Sequence, residues 1–310
     1  MGYDLTPFQH AYIIERFYGN TSLRRISFDF RNNFGLPISA ATVLRRVVEN
    51  TITASEVMEY LMKTECIGSA QKKSDFIPVL GDIWEVDETS LPIGKERVSL
   101  IAVKDLKTCY FPAANLEKAS TIETTARALI CARDLARKCP VELRGDGNPA
   151  YEKAVRLAFG RKTKLTINKK IGPMGQDQSI EGTFGASIKS WIKSKRSLHS
   201  WLISPIIVKG YILDYHFARP CEALCGQTPA EAAMAWNPLD GKRGWPALLQ
   251  LAEYYGKTIV TSKKQNKISK RIQRQITLDE LPLIDNNWTR KDDPSTGNRN
   301  KQLRLGSFLT

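Results

Sequence analysis

Histidine is scarce in this chain: only His10, His199 and His216 occur among 310 residues, so a zinc site at the usual His and Cys spacing has little to draw on. Cysteine does not make up the shortfall. Cys66, Cys109, Cys131, Cys139, Cys221 and Cys225 are scattered through apolar or helical contexts, and Cys221 and Cys225 are the only close pair. Neither a disulfide framework nor a zinc finger is expected, and the thiols read as reduced in a cytoplasmic protein. No apolar run reaches the roughly 20 residues of a membrane span. The most apolar stretch, from Trp201 to Leu213, is interrupted by Pro205, Lys209 and Gly210 and reads as a core helix. The start, Met1-Gly-Tyr-Asp-Leu-Thr-Pro, lacks the basic residues and apolar core of a secretory signal, so no export is expected. No internal repeat is visible. Acidic residues are also in deficit: Lys and Arg outnumber Asp and Glu by 46 to 32, a formal charge of +14. That excess favours a polyanionic partner such as nucleic acid over acidic small molecules.

What is present divides into segments of different kind. With 310 residues there is room for one large domain and one or two small ones. Residues 1–50 read as a small helical unit. Thr6-Pro7 signals a helix through Tyr18, and Thr21-Ser22 caps a second helix with Leu23, Ile26 and Phe30 on one face. Gly35-Leu-Pro-Ile-Ser forms a turn ending in Ser39, the N-cap of a third helix from Ala40 to Glu49. This is a helix-turn-helix pattern. It lets Thr42, Arg45, Arg46 and Glu49 face a DNA groove while Val43, Leu44, Val47 and Val48 pack inward. The plain alternative is a three-helix bundle whose arginines form a solvated face.

Residues 51–80 read as a linker holding a short helix around Glu56 to Met62 and the polar breaker Gly68-Ser-Ala-Gln-Lys-Lys-Ser. From Ile83 the pattern changes to strands at Ile83 to Leu91, Arg97 to Asp105 and Tyr110 to Ala114, an antiparallel meander. A helix from Thr121 to Lys138 follows, then a strand from Val141 to Arg144, a helix from Ala150 to Phe159, a strand from Lys164 to Ile167, and a helix from Ile180 to Lys195. Leu198 to Phe217 reads as a long helix bent near Pro205 or Gly210, and Thr228-Pro-Ala-Glu-Ala-Ala starts another with Pro at its first position. Residues 81–235 are thus an α/β domain, and residues 236–310 an extension. From Lys257 onward the extension holds 12 Lys or Arg against 5 Asp or Glu and reads as flexible and DNA-facing, or simply solvated.

Three acids stand out at the ends of these elements: Asp87 in Trp84-Glu-Val-Asp-Glu-Thr-Ser, Asp146 in Leu143-Arg-Gly-Asp-Gly-Asn, and Glu181 in Ser179-Ile-Glu-Gly-Thr-Phe. Strand alternation puts Ile83, Glu85 and Asp87 on one face, and a carboxylate on a mostly buried strand is costly unless a cation compensates it. Each acid has a bland reading as well. Asp87 could lie in a solvated turn, Gly145-Asp-Gly-Asn is an ordinary turn sequence, and an acid at a helix start is favoured by the dipole alone. Glu85 and Glu88 are rivals to Asp87.

The order of the three acids, the 34 residues between Asp146 and Glu181, and the basic helix after Glu181 resemble the DDE transposases of prokaryotic insertion sequences. Two further segments agree. Tyr211-Ile-Leu-Asp-Tyr-His-Phe-Ala-Arg-Pro followed by Leu224, Gly226 and Thr228-Pro-Ala-Glu-Ala resembles the close of their catalytic domain. Ser22-Leu-Arg-Arg-Ile, Pro37-Ile-Ser and Thr42-Val-Leu-Arg-Arg resemble the helix-turn-helix before it. The resemblance covers about residues 5 to 235 and departs at two places. Ile188 stands seven residues after the glutamate, where the family often has a base, so Lys189 is the nearest candidate; and Gln176-Asp-Gln-Ser replaces the Asn common before the glutamate.

The resemblance implies an RNase H-like catalytic domain, a mixed five-stranded sheet with flanking helices, preceded by an all-α helix-turn-helix domain. In such a fold the first and fourth strands lie side by side, so that Asp87 and Asp146 meet and Glu181 joins them from a later helix. The three would hold two magnesium ions, with manganese as a substitute. They would cleave a phosphodiester at an element end and join the freed 3′-hydroxyl to target DNA. Lys189, Lys193, Lys195 and Arg196 would track the DNA backbone. The partners implied are double-stranded DNA and further copies of the chain, as a homodimer or larger assembly, in the nucleoid. The alternatives are a transposase-derived DNA-binding regulator without chemistry, or an RNase H-like nuclease that cuts without joining.

Overall fold

Thr6 opens the first helix as its sequence dictates: its hydroxyl accepts from the Gln9 amide while the Gln9 side chain accepts from the Thr6 N–H, a reciprocal capping box ahead of Pro7. The helix, α1, spans Pro7–Tyr18, and α2 spans Leu23–Phe34, capped by Ser22 and ended by Gly35 at φ 65°. The chain is seen here as a computed structural model describing residues 4–63, 77–167, 184–195, 198, 200–233 and 242–262. All of these fall in one unit, Met1–Lys264.

Helix α3 departs from the sequence expectation. Instead of stopping at Glu49 and restarting near Glu56, it runs unbroken over Ala40–Lys63. No Gly or Pro interrupts it, and Val43, Val47, Thr51, Ala54, Met58 and Leu61, spaced three or four apart, are buried along one stripe. Tertiary burial outweighs the low helix propensity of Thr51-Ile-Thr. The expected junction at residues 50 and 51 therefore falls inside a helix.

The sheet has strands β1 (Ile83–Ile93), β2 (Glu96–Asp105), β3 (Ala113–Glu117), β4 (Glu142–Gly145) and β5 (Lys164–Ile167), in the order β3-β2-β1-β4-β5. β1 to β3 form the expected antiparallel meander, and β4 and β5 add in parallel on the other side of β1. The third strand lies a few residues later than expected, because Tyr110 and Phe111 are drawn into packing with His216 and Phe184. Helices α4 (Ile122–Ala136) and α5 (Ala150–Phe159) cover one face, where Trp84 meets Phe159 edge-on and Arg127 reaches Glu117. On the other face Leu100, Ala102 and Leu116 are buried, and α6 (Ala186–Ser194) and α7 (Ser204–Phe217) pack on β1 and β3. This five-stranded mixed sheet with helices on both faces is the RNase H-like architecture.

The expected bend in α7 does not occur. Pro205 sits in the first turn of the helix, where its missing N–H costs nothing. Gly210 lies in an unbroken interior against the ring of Tyr18, where a Cβ would collide with the phenol. Tyr18 stacks between Trp191 and Trp245, with ring centroids 5.7 and 5.3 Å away, and its hydroxyl meets that of Thr51 at 3.0 Å. Side chains of α1, α3 and α6 and of α9 (Gly244–Ser262) thus converge on one aromatic stack beside α7. The start of the supposedly flexible basic tail, up to Ser262, belongs to α9; the rest lies outside the described residues. A single 3-10 turn, Glu222–Leu224, leads to α8 (Pro229–Ala233), capped by reciprocal hydrogen bonds between Thr228 and Glu231. Among the described residues no helix is long and apolar enough to cross a membrane.

Candidate functional site

Parallel pairing of β1 with β4 sets the geometry of the candidate site. Ile83, Trp84 and Glu85 lie opposite Glu142, Leu143 and Arg144. Two residues beyond Glu85 comes Asp87, still within β1, and two residues beyond Arg144 comes Asp146, one residue past the end of β4. Both sit at the C-terminal end of the parallel pair. Asp87 is buried in the middle of β1, not in a turn, and its Oδ1 accepts the Glu88 N–H at 2.8 Å. Asp146 is exposed just past β4, where its Oδ1 accepts the Asn148 N–H at 3.1 Å, and Asn148 in turn accepts the Ala150 N–H that opens α5. Gly147, at φ 92°, makes this turn possible; a Cβ there would stand 3.0 Å from Ile167.

The register also separates Asp87 from its rivals. Glu85 lies opposite Lys104, an oppositely charged cross-strand neighbour. Glu88 points to the other face and accepts the Ser99 hydroxyl at 2.5 Å. Across from Asp87 stands the small side chain of Ala102. Glu181 lies outside the described residues, as does Arg196. Among the described residues no three His, Cys, Asp or Glu side chains are grouped to hold an ion. The two aspartates, Asp146 between Gly145 and Gly147, nevertheless supply hard oxygen donors only, and such a set fits magnesium or manganese rather than a softer metal.

One residue of this neighbourhood escapes the sequence reading. Tyr151, five residues after Asp146 in the first turn of α5, is 1% exposed, and its ring lies so close over Gly145 that a Cβ there would stand 2.6 Å from Cδ2. The glycine before Asp146 is needed for the ring as much as for the turn. Burial first, then the charges of Asp146, Asp87, Glu88 and Glu85, push the Tyr151 phenol far above its ordinary range.

The expected DNA-facing residues are placed unequally. Lys189 and Lys193 are exposed on α6, while Ile188 between the helix's buried residues has no access to solvent. Lys195 turns inward. Its ammonium donates to the Thr21 carbonyl at 2.6 Å and lies over the rings of Phe17 and Trp191, and burial pulls it down to about 8. In α3, Arg45 and Arg46 are half-buried and both pair with Glu49, at 3.8 and 3.1 Å. Thr42 is half-buried and shares its hydroxyl with the Ser39 cap at 3.0 Å.

Arg219, from the Arg-Pro segment, is a structural clamp. It donates to Asp214 at 2.6 Å, to the Tyr211 hydroxyl at 2.9 Å and to the Tyr18 carbonyl at 3.1 Å. Asp214 also accepts from the Trp245 indole at 2.9 Å, and burial pushes its carboxyl upward against the pull of Arg219.

No family model matches the chain, and no curated protein matches it in sequence. Among solved structures, the chain is similar to the HTLV-2 integrase catalytic core domain in complex with magnesium, at 16% identity and a TM-score of 0.38, over 50% of this chain and 97% of that one. It is similar also to the catalytic core domain of BIV integrase, at 14% identity and a TM-score of 0.34, over 49% of this chain and 92% of that one.

Proposed function

We propose that the chain is a DDE-type polynucleotidyl transferase, a transposase of the insertion-sequence kind that cuts phosphodiester bonds at DNA ends and joins the 3′-hydroxyls to target DNA. The observation that supports the reading is the parallel pairing of β1 with β4, Glu85 opposite Arg144, with Asp87 and Asp146 each two residues further on toward the C-terminal end of the pair. Asp87, Asp146 and Glu181 would hold divalent cations, and a cation such as magnesium, when bound, supplies a Lewis acid that lowers the pKa of water and neutralises phosphate charge. The protein's own work is positioning. Asp87 is held by burial and by the Glu88 N–H, and Asp146 by its turn. Lys189 and Lys193, exposed on the helix that follows Glu181, would follow the DNA backbone and make binding salt-dependent. The turn between α2 and α3 would present the end-recognising surface, with Thr42, Arg45 and Arg46 as its polar residues. Joining two ends calls for a homodimer or larger assembly.

The test is strand transfer of a labelled element-end duplex into plasmid with magnesium or manganese, for the native chain, Asp87→Asn, Asp146→Asn and Glu181→Gln. Metal-dependent joining, lost in each variant with DNA binding retained, is the expected result. Binding without cleavage or joining by the native chain would favour a regulator instead, and cleavage without joining a nuclease.

A further inference from the structure

Tyr151 offers a second layer to this centre. Its side chain is buried, yet its hydroxyl has no hydrogen-bond partner, and an unsatisfied buried hydroxyl is selected against unless it serves another state of the molecule. The ring is wedged over Gly145 close to Val86, the residues immediately before Asp146 and Asp87. The carboxylates that act on the phenol are Asp146 most strongly, then Asp87, Glu88 and Glu85. Alternation along β1 turns Glu85 and Asp87 to the face opposite Val86 and α5, and Glu88 already accepts from Ser99, which leaves Asp146, just past the end of β4, as the acceptor.

Resting on the metal-dependent reading above, we propose that Tyr151 is a positioning residue for the Asp87 and Asp146 centre, its hydroxyl donating to an Asp146 oxygen once a divalent cation is bound. Cation binding draws both carboxylates toward the ion and orients the oxygens that do not ligate it. A phenol held dry behind the strands, with its proton firmly in place, is suited to donate to one of those oxygens. Partners of this kind fix ligand orientation and strengthen metal binding. In the absence of the cation the same hydroxyl stabilises nothing.

The variant Tyr151→Phe removes one oxygen and keeps the ring over Gly145, so it separates this role from packing. Thermal unfolding in EDTA is expected to show a melting temperature equal to or above that of the native chain, since an unpartnered buried hydroxyl is lost. Titration with Mn2+ alone, followed by electron paramagnetic resonance, is expected to show affinity weakened about 10-fold, with Asp146→Asn as the control that abolishes binding. Native-like Mn2+ affinity in Tyr151→Phe, with Asp146→Asn defective, overturns the role of Tyr151 and leaves the metal reading standing. Absence of Mn2+ binding by the native chain, or binding unaffected by Asp146→Asn, overturns both. A marked loss of stability in EDTA would also contradict the proposal, because it would make the hydroxyl structural.

Discussion

Replacing Gly210 by Ala should destabilise the protein, against the usual direction for a helix interior. Gly to Ala in such a position ordinarily gains about 1 kcal/mol from propensity. Here the new Cβ would meet Tyr18 Oη, Tyr18 Cζ at 2.5 Å and Thr51 Cγ2 at 2.8 Å. Tyr18 is 1% exposed and held between Trp191 and Trp245, so its ring has nowhere to retreat. Overpacking of this kind costs about 1–3 kcal/mol. Separating the Tyr18 and Thr51 hydroxyls, with both left buried, adds about 1–3 kcal/mol. The net loss is about 3 kcal/mol, or roughly 6–12 °C in melting temperature for a unit of this size. Differential scanning calorimetry of Gly210→Ala measures it directly, and adding Tyr18→Phe should recover part of the loss by removing the atom in the way. A Gly210→Ala protein melting at or above the native temperature would refute the packing described at this junction.

Three further outcomes are expected. His216 accepts the Phe111 N–H through Nε2 at 3.0 Å, and burial pulls its imidazole down to about 3 from 6.5. The folded state therefore binds the proton less tightly than the unfolded one. The contribution to stability is complete above the unfolded value and drains as the pH falls from 6.5 toward 3, at up to about 1.4 kcal/mol per pH unit. His216→Gln, which keeps an acceptor for Phe111, should flatten that part of an acid-denaturation curve. Arg219→Ala should cost about 3 kcal/mol in urea unfolding, because it strands the buried Asp214 carboxylate, and Arg219→Lys should recover only part of this, since one ammonium does not reproduce the three directed donations. Lys189→Ala and Lys193→Ala should each reduce the slope of log affinity against log salt for duplex DNA by about 0.9, without loss of stability. Lys195→Met should leave that slope unchanged, and an equal effect at all three positions would contradict the inward placement of Lys195.

The strands and the helices of the sheet domain were legible because their periodicities are clean. β1 alternates around a buried centre, α4 carries an Ala and Leu stripe, and Ala150 to Phe159 forms a helix with the expected bounds. The parallel pairing of β1 with β4 was legible only through the strand order that the resemblance implied, since nothing in either local motif says that these two strands lie side by side. Glu85, Asp87 and Glu88 were separated by cross-strand register, which one strand's sequence does not contain. Tertiary contacts account for the remaining differences. Gly210 looked like a helix breaker because its partner, Tyr18, lies 192 positions away in the chain. The break expected after Glu49 does not occur because the buried stripe from Val43 to Leu61 runs on through Thr51, whose hydroxyl meets that of Tyr18. Lys195 could have been read correctly: it lies four residues after Trp191 and three after Ile192, both on the buried stripe of α6, and a lysine capping the helix there is placed to snorkel along that face.

The central claim is that Asp87 and Asp146 form one cation site across β1 and β4. Anomalous diffraction at the manganese edge, from crystals of the full chain grown with Mn2+, tests it most directly. The account predicts an anomalous peak within about 2.2 Å of a carboxylate oxygen from each of the two aspartates, as hard-cation coordination requires. Manganese bound elsewhere on the protein, with the Asp87 and Asp146 carboxylates turned away from one another, would contradict it.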